Sequence, residues 1–234
     1  MDFIFNPELL VAFFTLTILE IVLGIDNLVF ISILAGKLPK DQQKKARNIG
    51  LFLAMFVRIG LLFSLSWIMQ LSEPLFVMFK NELSGRDLIL AIGGIFLIFK
   101  STMEIHNHLE GEKDTEKKVV IGFANVLLQI VLLDIIFSLD SVITAIGLVD
   151  QINIMIAAVV IAIIFMIIFI NSISKFIEEH PTIKILALSF LLLIGMALIG
   201  DAFDMHIPKG YIYFAMAFST FVEMINLKIY KRKH

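Results

Sequence analysis

Two short segments of the sequence place paired acids inside apolar runs. The segment LEIVLGIDNLV contains Glu20 and Asp26, and the segment LDIIFSLDSVI contains Asp134 and Asp140. Acidic side chains in a run long enough to cross a bilayer are costly, and they commonly mark ion or proton pathways. The chemistry to expect from them is binding of a hard cation, exchange of protons, or both.

The two segments are copies of one motif, separated by a constant offset of 114 residues. The register pairs Glu20 with Asp134, Gly24 with Ser138, Asp26 with Asp140, and Asn27 with Ser141. Residues four and seven apart share one face of an α-helix. The first and last pairs therefore face one way, whereas the aspartates 26 and 140 point elsewhere on a straight helix. They rejoin that face only if the helix unwinds or kinks locally, which would be easiest at Gly24 and Ser138.

The oxygen-rich donors of the motif favour a hard divalent cation. Carboxylate, amide and hydroxyl oxygens suit Mg²⁺, Ca²⁺ or Mn²⁺, whereas Zn²⁺ and Cu⁺ prefer nitrogen or sulfur. The sequence contains no cysteine, which excludes thiolate sites. The predicted metal ligands are Glu20, Asp26, Asn27, Asp134, Asp140 and Ser141, with no prosthetic group expected.

Other polar residues stand beside this set. Arg58, in the second apolar stretch, is predicted to be a counter-ion to one of the carboxylates. Glu223 and Asn226, in the last stretch, share a helix face and are secondary candidates for the cavity. Two further groups are interpreted as solvated loops, each with a role in metal binding as the alternative: Glu104, His106 and His108, and then Asp201, Asp204 and His206.

Composition identifies the elements that must position these residues as membrane spans. The chain is 59% hydrophobic and 17% charged, and its mean hydropathy is +0.95. A span needs about 20 predominantly apolar residues. Seven stretches qualify, at about 9–34, 49–71, 87–103, 119–148, 152–172, 184–203 and 210–228. The predicted fold class is an all-α membrane protein of seven transmembrane helices.

Loop charges predict the orientation of the spans. One set of loops carries fourteen Lys and Arg residues, and the other carries only Lys80, Arg86 and Lys209. Because short cytoplasmic loops collect positive charge, the N-terminus is expected outside and the C-terminus in the cytoplasm. No basic segment precedes the first span, so we expect it not to be a removed signal peptide. No basic tract with interleaved aromatics indicates nucleic acid as a partner; the expected partners are the lipid bilayer and a metal ion.

A motif that recurs in the first and fourth spans implies a repeat unit of three helices. An odd number of spans places the two copies in opposite orientations, as in secondary transporters with a midplane site at the repeat interface. We therefore predict a single membrane domain over 1–234. It consists of repeat one at about 9–106, repeat two at about 119–206, and a seventh helix at about 210–228.

The motifs resemble those of the TerC family of integral membrane proteins, in the lysine-exporter superfamily. The likeness rests on EIVLGIDNLVF, LLDIIFSLDSVITA and PKGYIYFAMAFSTFVEMINL and runs through essentially the whole chain. It implies seven spans with a three-plus-three inverted repeat, a bacterial inner-membrane location and export of Mn²⁺. The acidic positions implicated in the family correspond to the six ligands predicted above. The cytoplasmic domains that some relatives append are absent from this sequence.

Three functions are considered. The first is a divalent-cation exporter, with Mn²⁺ as cargo and coupling to protons, because closely spaced acids in low dielectric cannot all stay ionised without a cation. The second is a membrane factor that assists metalation or insertion of exported proteins. The third is an intramembrane aspartyl protease using Asp26 and Asp140, but the sequence has no GxGD motif, and an inverted repeat explains the pair more simply. The expectation is therefore a transporter, not an enzyme.

Overall fold

The computed structural model describes residues 7–64, 74–78, 81–110, 122–148, 151–205 and 207–233. This part of the chain forms seven α-helices and one two-stranded sheet. The helices are α1 (Pro7–Ala35), α2 (Lys40–Phe63), α3 (Gly85–Glu110), α4 (Phe123–Leu148), α5 (Ile152–Glu179), α6 (Pro181–Ala202) and α7 (Lys209–Lys233), and the strands are β1 (Pro74–Met78) and β2 (Asn81–Ser84).

The seven predicted spans are confirmed as helices. Six are long and apolar enough to cross a membrane, and α4 contributes a shorter apolar stretch at Phe123–Leu139. The predicted second span was placed too late, because α2 begins at Lys40 and includes the polar sequence KDQQKKARN. The basic residues 40–47, which were counted among the loop charges, are therefore part of a helix.

The motif helices are not unwound at the positions where the sequence would most easily allow it. Both α1 and α4 continue as α-helices through Gly24 and Ser138. At Gly24 the missing side chain is used for packing, because an added Cβ would lie 2.6 Å from the Met166 sulfur. The Ser138 hydroxyl instead donates a hydrogen bond of 3.3 Å to the carboxylate of Asp134 one turn earlier.

The hairpin between α2 and α3 was not predicted. Strands β1 and β2 pair antiparallel, with Pro74 opposite Ser84 and Met78 opposite Asn81. Immediately afterwards Asp87 caps the start of α3: its carboxylate accepts hydrogen bonds from the Ser84 backbone N–H (2.9 Å) and hydroxyl (2.6 Å), and its own N–H donates to the Ser84 hydroxyl (3.2 Å). This reciprocal pattern is a capping box.

The described chain divides into two compact units. One contains α1, α2, α4 and most of α5; the other contains the hairpin, α3, α6 and α7. The first two helices of each predicted repeat therefore belong to one unit, and the third helix of each repeat belongs to the other. This division cuts across the two repeats, as expected if corresponding helices pack together.

In the first unit, α2 packs along α4, and α1 packs against both. An added Cβ on Gly50 of α2 would lie 3.0 Å from the Ile130 side chain of α4, so the glycine permits this close approach. Large aliphatic residues such as Leu34, Leu51 and Ile163 are fully buried. Lipid-facing positions carry exposed apolar side chains, which suits a hydrocarbon environment.

In the second unit, α3 and α6 cross at two glycines. A Cβ on Gly94 would lie 2.6 Å from the carbonyl oxygen of Gly195 and 2.7 Å from Ile199, and a Cβ on Gly195 would lie 2.9 Å from both the carbonyl oxygen of Gly94 and Ile98. The contacts are reciprocal and show that the two helices run antiparallel. The third helices of the two repeats therefore have opposite orientations, as the inverted repeat predicts.

Candidate functional site

The acids at the first position of each motif meet at a single guanidinium in the first unit. Arg58 of α2 donates from Nη1 to Glu20 Oε2, and from Nε (3.2 Å) and Nη2 (3.1 Å) to Asp134 Oδ1. All three side chains are buried, with relative exposures of 5% for Glu20, 2% for Arg58 and 4% for Asp134. Arg58 thus pairs with both carboxylates, where the sequence indicated only one.

Further donors complete the environment of Asp134. Asn27 of α1 donates from Nδ2 to Asp134 Oδ1 at 3.0 Å, and the Ser138 hydroxyl donates to Oδ2 at 3.3 Å. Burying charges is tolerated only when they are paired and their remaining hydrogen-bonding positions are satisfied. The polar residues of both motifs donate hydrogen bonds to the Asp134 carboxylate. Together with the Arg58 ion pairs, these bonds link helices α1, α2 and α4.

The contacts between α1 and α4 follow an internal two-fold relationship. Asn27 lies opposite Asp134, and Glu20 borders the same cavity as Ser141. Glu20 lies seven residues before Asn27 on α1, whereas Ser141 lies seven residues after Asp134 on α4. The two helices therefore run antiparallel. Each pair consists of a first-position acid from one copy and a last-position polar residue from the other.

The two halves of this arrangement differ in one respect. Asn27 is long enough to bond Asp134, whereas the shorter Ser141 donates instead to the Ser138 carbonyl oxygen at 3.2 Å. A cavity of about 10 Å³ lies on the Ser141 side, lined by Glu20, Arg58, Ser141, Met155 and aliphatic side chains. This volume is at the lower limit for holding one water-sized occupant.

The second acid of each motif is not brought into this cluster. Asp26 is 6% exposed, on a different face of α1 from Glu20, and within the described part of the chain no hydrogen bond or ion pair reaches its carboxylate. Asp140 lies within α4, but its side chain is outside the described residues. A buried carboxylate without a protein partner is a position that a cation or a proton can satisfy.

The donors present fit a cation, but a side chain now holds the central position. Among the described residues no three acidic or imidazole side chains come together as a ready metal cage. The guanidinium of Arg58 instead lies between two carboxylates that could otherwise share a divalent ion. The described side chains therefore form a buried ion-pair cluster, and a cation would have to share its carboxylates with Arg58.

The remaining sequence candidates lie elsewhere. Glu223 and Asn226 are on α7 in the second unit, where the amide donates to the carboxylate at 3.3 Å. Their role in the cavity stays a prediction. Asp201 and Asp204 lie at the end of α6, with Asp204 at a positive φ of 57°. His206 is outside the described residues.

The reading of Glu104, His106 and His108 as a loop was wrong, because α3 continues to Glu110. Its polar last turn contains an i,i+4 pair between His106 and Glu110, at 3.5 Å on an exposed surface, a spacing at which side-chain pairs support a helix. The solvated character of these residues was correctly anticipated for the histidines, whose side chains are exposed or half-buried.

Met155 is the member of the cavity wall that sequence reasoning missed. It is 4% exposed and lies on the buried face of α5. In the sequence it is one of eleven methionines in a largely apolar chain, and nothing in its spacing distinguishes it from core. Only the packing of α5 beside the motif helices could reveal it.

Comparisons with known proteins agree with the motif and the fold. The family model described as integral membrane protein TerC family matches residues 5–234. The chain is 54% identical over 222 residues to the inner membrane protein YgdQ of Escherichia coli K12, covering 95% of this chain and 94% of that protein. It is 53% identical over 231 residues to a UPF0053 protein of Haemophilus influenzae, covering 97% of each.

A longer relative shows that the domain also occurs in larger chains. Against the inner membrane protein YoaE of E. coli K12 the identity is 49% over 229 residues, covering 97% of this chain but 44% of that protein. No solved structure matches. The sequence resemblance is therefore confirmed, and the chain belongs to the TerC family of integral membrane proteins.

Proposed function

We propose that this protein exports a divalent metal cation, Mn²⁺ first of all, across the bacterial inner membrane. The observation that carries the proposal is the buried pair of repeat-related carboxylates, Glu20 and Asp134, held by Arg58. A purely structural ion pair would need one acid for one base. Two acids on one arginine leave a net negative charge in a low-dielectric position, which favours a cation.

Exchange of Arg58 for the metal is the central step of the proposed mechanism. When a divalent ion enters, its two charges replace the single charge of the guanidinium between Glu20 and Asp134. Asn27 and Ser141 supply neutral oxygens, and Asp26 and Asp140 add carboxylates along the path. Arg58 returns when the ion leaves, so that the acids are never buried without a positive partner.

Coupling to protons follows from the same charge balance. The first unit carries the four motif acids, and among the described residues Arg58 is the cation that pairs with two of them, so the acids need protons as additional neutralising charge when no metal is bound. Entry of a divalent ion releases those protons. Because neighbouring acids share their titrations, no proton is assigned to one residue. Alternating access of such a site gives exchange of metal for H⁺.

Cargo and orientation complete the proposal. Oxygen donors are compatible with Mn²⁺, and the TerC resemblance implies export of that ion. The excess of Lys and Arg in one set of loops places the N-terminus outside and the C-terminus in the cytoplasm. Export then means binding from the side of the Lys40 end of α2.

The test is transport by purified protein in proteoliposomes that contain a pH-sensitive dye. A Mn²⁺ gradient is imposed with the membrane potential clamped, and Mn²⁺ flux and proton counter-flow are recorded together. The wild type should show both, and Glu20→Gln should show neither. The triple alanine variant of Glu104, His106 and His108 is the control and should behave as wild type. Absence of flux of any divalent ion in the wild type contradicts the proposal; flux without proton movement contradicts the coupling alone.

A further inference from the structure

Met155 is the one sulfur-containing residue among the described residues that line the cavity beside Glu20. Of the others, Glu20, Arg58 and Ser141 are polar, and the rest are aliphatic. Met155 is buried, at 4% exposure. An ion that reached Glu20 and Ser141 through this cavity would therefore have a methionine among its neighbours as well as oxygen donors.

A thioether discriminates between cations that oxygen ligands accept alike. Ca²⁺ and Mg²⁺ are hard ions that take oxygen ligands. Soft sulfur ligands favour metals softer than Ca²⁺ and Mg²⁺, and within the first-row series affinity rises from Mn²⁺, which oxygen ligands also suit, through Fe²⁺ to Co²⁺. Replacing a water or carbonyl oxygen by a thioether thus costs Ca²⁺ and Mg²⁺ a ligand, while a transition metal keeps a usable one.

We propose that Met155 is the specificity-determining residue of the site, and that its thioether admits divalent transition metals and disfavours Ca²⁺ and Mg²⁺. The inference rests on the proposed export function and narrows its substrate class to Mn²⁺ together with Fe²⁺ and Co²⁺. It also assigns a reason for methionine at a buried position where leucine would fill similar space.

A second methionine on the same helix offers a matched control. Met166 lies eleven residues, about three turns, after Met155 and therefore on nearly the same face of α5. It is 1% exposed, but its sulfur packs over Gly24 and does not border the cavity. The two residues share chemistry, burial and helix face and differ in access to the site.

The experiment compares Met155→Leu with Met166→Leu. Leucine conserves volume closely enough that both variants should fold, which membrane level and thermal unfolding in detergent verify. Uptake of radiolabelled Mn²⁺ into everted vesicles is measured against increasing Ca²⁺, Mg²⁺ or Co²⁺. In Met155→Leu the preference for Mn²⁺ over Ca²⁺ should fall by about tenfold or more, the scale on which loss of a supporting group changes metal affinity. Met166→Leu should keep the wild-type preference.

A second variant keeps sulfur in place. Because the sequence has no cysteine, Met155→Cys introduces a single thiol, and Cd²⁺ should then inhibit Mn²⁺ uptake at lower concentration than in the wild type. If Met155→Leu folds and retains the wild-type ratio of Mn²⁺ to Ca²⁺, or if Met155→Cys gains no Cd²⁺ sensitivity, the inference is wrong while Mn²⁺ export stands. If the wild type moves no divalent cation, the export proposal itself fails.

Discussion

The amide of Asn27 donates a 3.0 Å hydrogen bond to the carboxylate of Asp134, 107 residues later in the chain. Each residue belongs to a different copy of one motif, and the bond joins the last polar position of the first copy to the first acid of the second. Its counterpart, Glu20 with Ser141, borders a cavity instead. The two pairs therefore occupy corresponding positions, but a hydrogen bond joins the first pair whereas a cavity adjoins the second.

Asp134→Asn should lower both transport and stability. The substitution removes the negative charge that accepts two of the three Arg58 hydrogen bonds, and breaking a buried ion pair typically costs about 3–5 kcal/mol. Glu20 still faces Arg58, so the loss should lie toward the lower end. Thermal unfolding in detergent measures it. Adding Arg58→Met leaves the Glu20 carboxylate buried without its counter-ion and should lower stability further without restoring transport; a double variant as stable as Asp134→Asn would contradict this account.

Asp26→Asn should abolish transport without loss of stability. Its carboxylate is buried, and among the described residues none bonds to it, so amidation removes a desolvated charge and breaks no contact. The matched control is Asp87→Asn, whose carboxylate accepts two bonds from Ser84; that variant should lose about 0.5–2 kcal/mol of stability and retain transport. Mn²⁺ flux and the unfolding midpoint are measured for both variants. Normal flux in Asp26→Asn would show that this carboxylate is not needed for transport.

Ser141→Asn should block the cavity beside Glu20, because the second copy would then carry asparagine at the same position as Asn27 in the first. The larger side chain would occupy the cavity of about 10 Å³ and could donate to Glu20 as Asn27 does to Asp134. We expect Mn²⁺ flux to be lost while the unfolding midpoint stays the same or rises. Ser141→Ala leaves the cavity open and should retain measurable flux. Full activity in the asparagine variant would show that the ion does not use this cavity.

Gly94→Ala should destabilise the second unit. The new methyl group would lie 2.6 Å from the backbone oxygen of Gly195, which cannot rotate away, and overpacking of this kind costs about 1–3 kcal/mol. Gly60→Ala is the control, since nothing lies within 4 Å of its added Cβ and alanine stabilises a helix by up to about 1 kcal/mol. Equal unfolding midpoints for the two variants would mean that the α3–α6 crossing is looser than described.

Single cysteines should report opposite sides of the membrane. Lys44 and Gly210 are both exposed, and the sequence has no native cysteine to interfere. In intact cells an impermeant thiol reagent should label Gly210→Cys, whereas Lys44→Cys should react only after the inner face is opened. Reaction of both from the same side would overturn the predicted orientation, since α2 begins near one residue and α7 near the other.

The sequence was sufficient to predict the helices that correspond to long apolar stretches. Seven spans were found because each is an apolar stretch close to the roughly 20 residues that a bilayer requires, and the copies around Glu20 and Asp134 were found because polar residues in hydrocarbon stand out. The strands Pro74–Met78 and Asn81–Ser84 were missed because they are short, adjoin an apolar stretch and carry no clear alternation.

The finer geometry of the site could not be predicted, for two physical reasons. Which carboxylate Arg58 reaches depends on how α2 packs against α1 and α4, and a helix period does not specify that packing. The unwinding expected at Gly24 assumed that glycine weakens the helix, whereas here its small size admits Met166. A glycine can serve either purpose, and only the neighbouring helix decides between them.

The glycines at the α3–α6 crossing also allow the lengths of the two copies to be compared. Glu20 and Gly94 are 74 residues apart, but Asp134 and Gly195 are 61 apart, so the first copy is longer between these two reference points. The hairpin of β1 and β2 occupies the connection between α2 and α3, whereas only one residue separates α5 from α6. A gene duplication that yielded equal halves would present the same surface to both aqueous phases. The hairpin therefore distinguishes the first copy from the second at the connection between the second and third helices, where the other copy has a single residue.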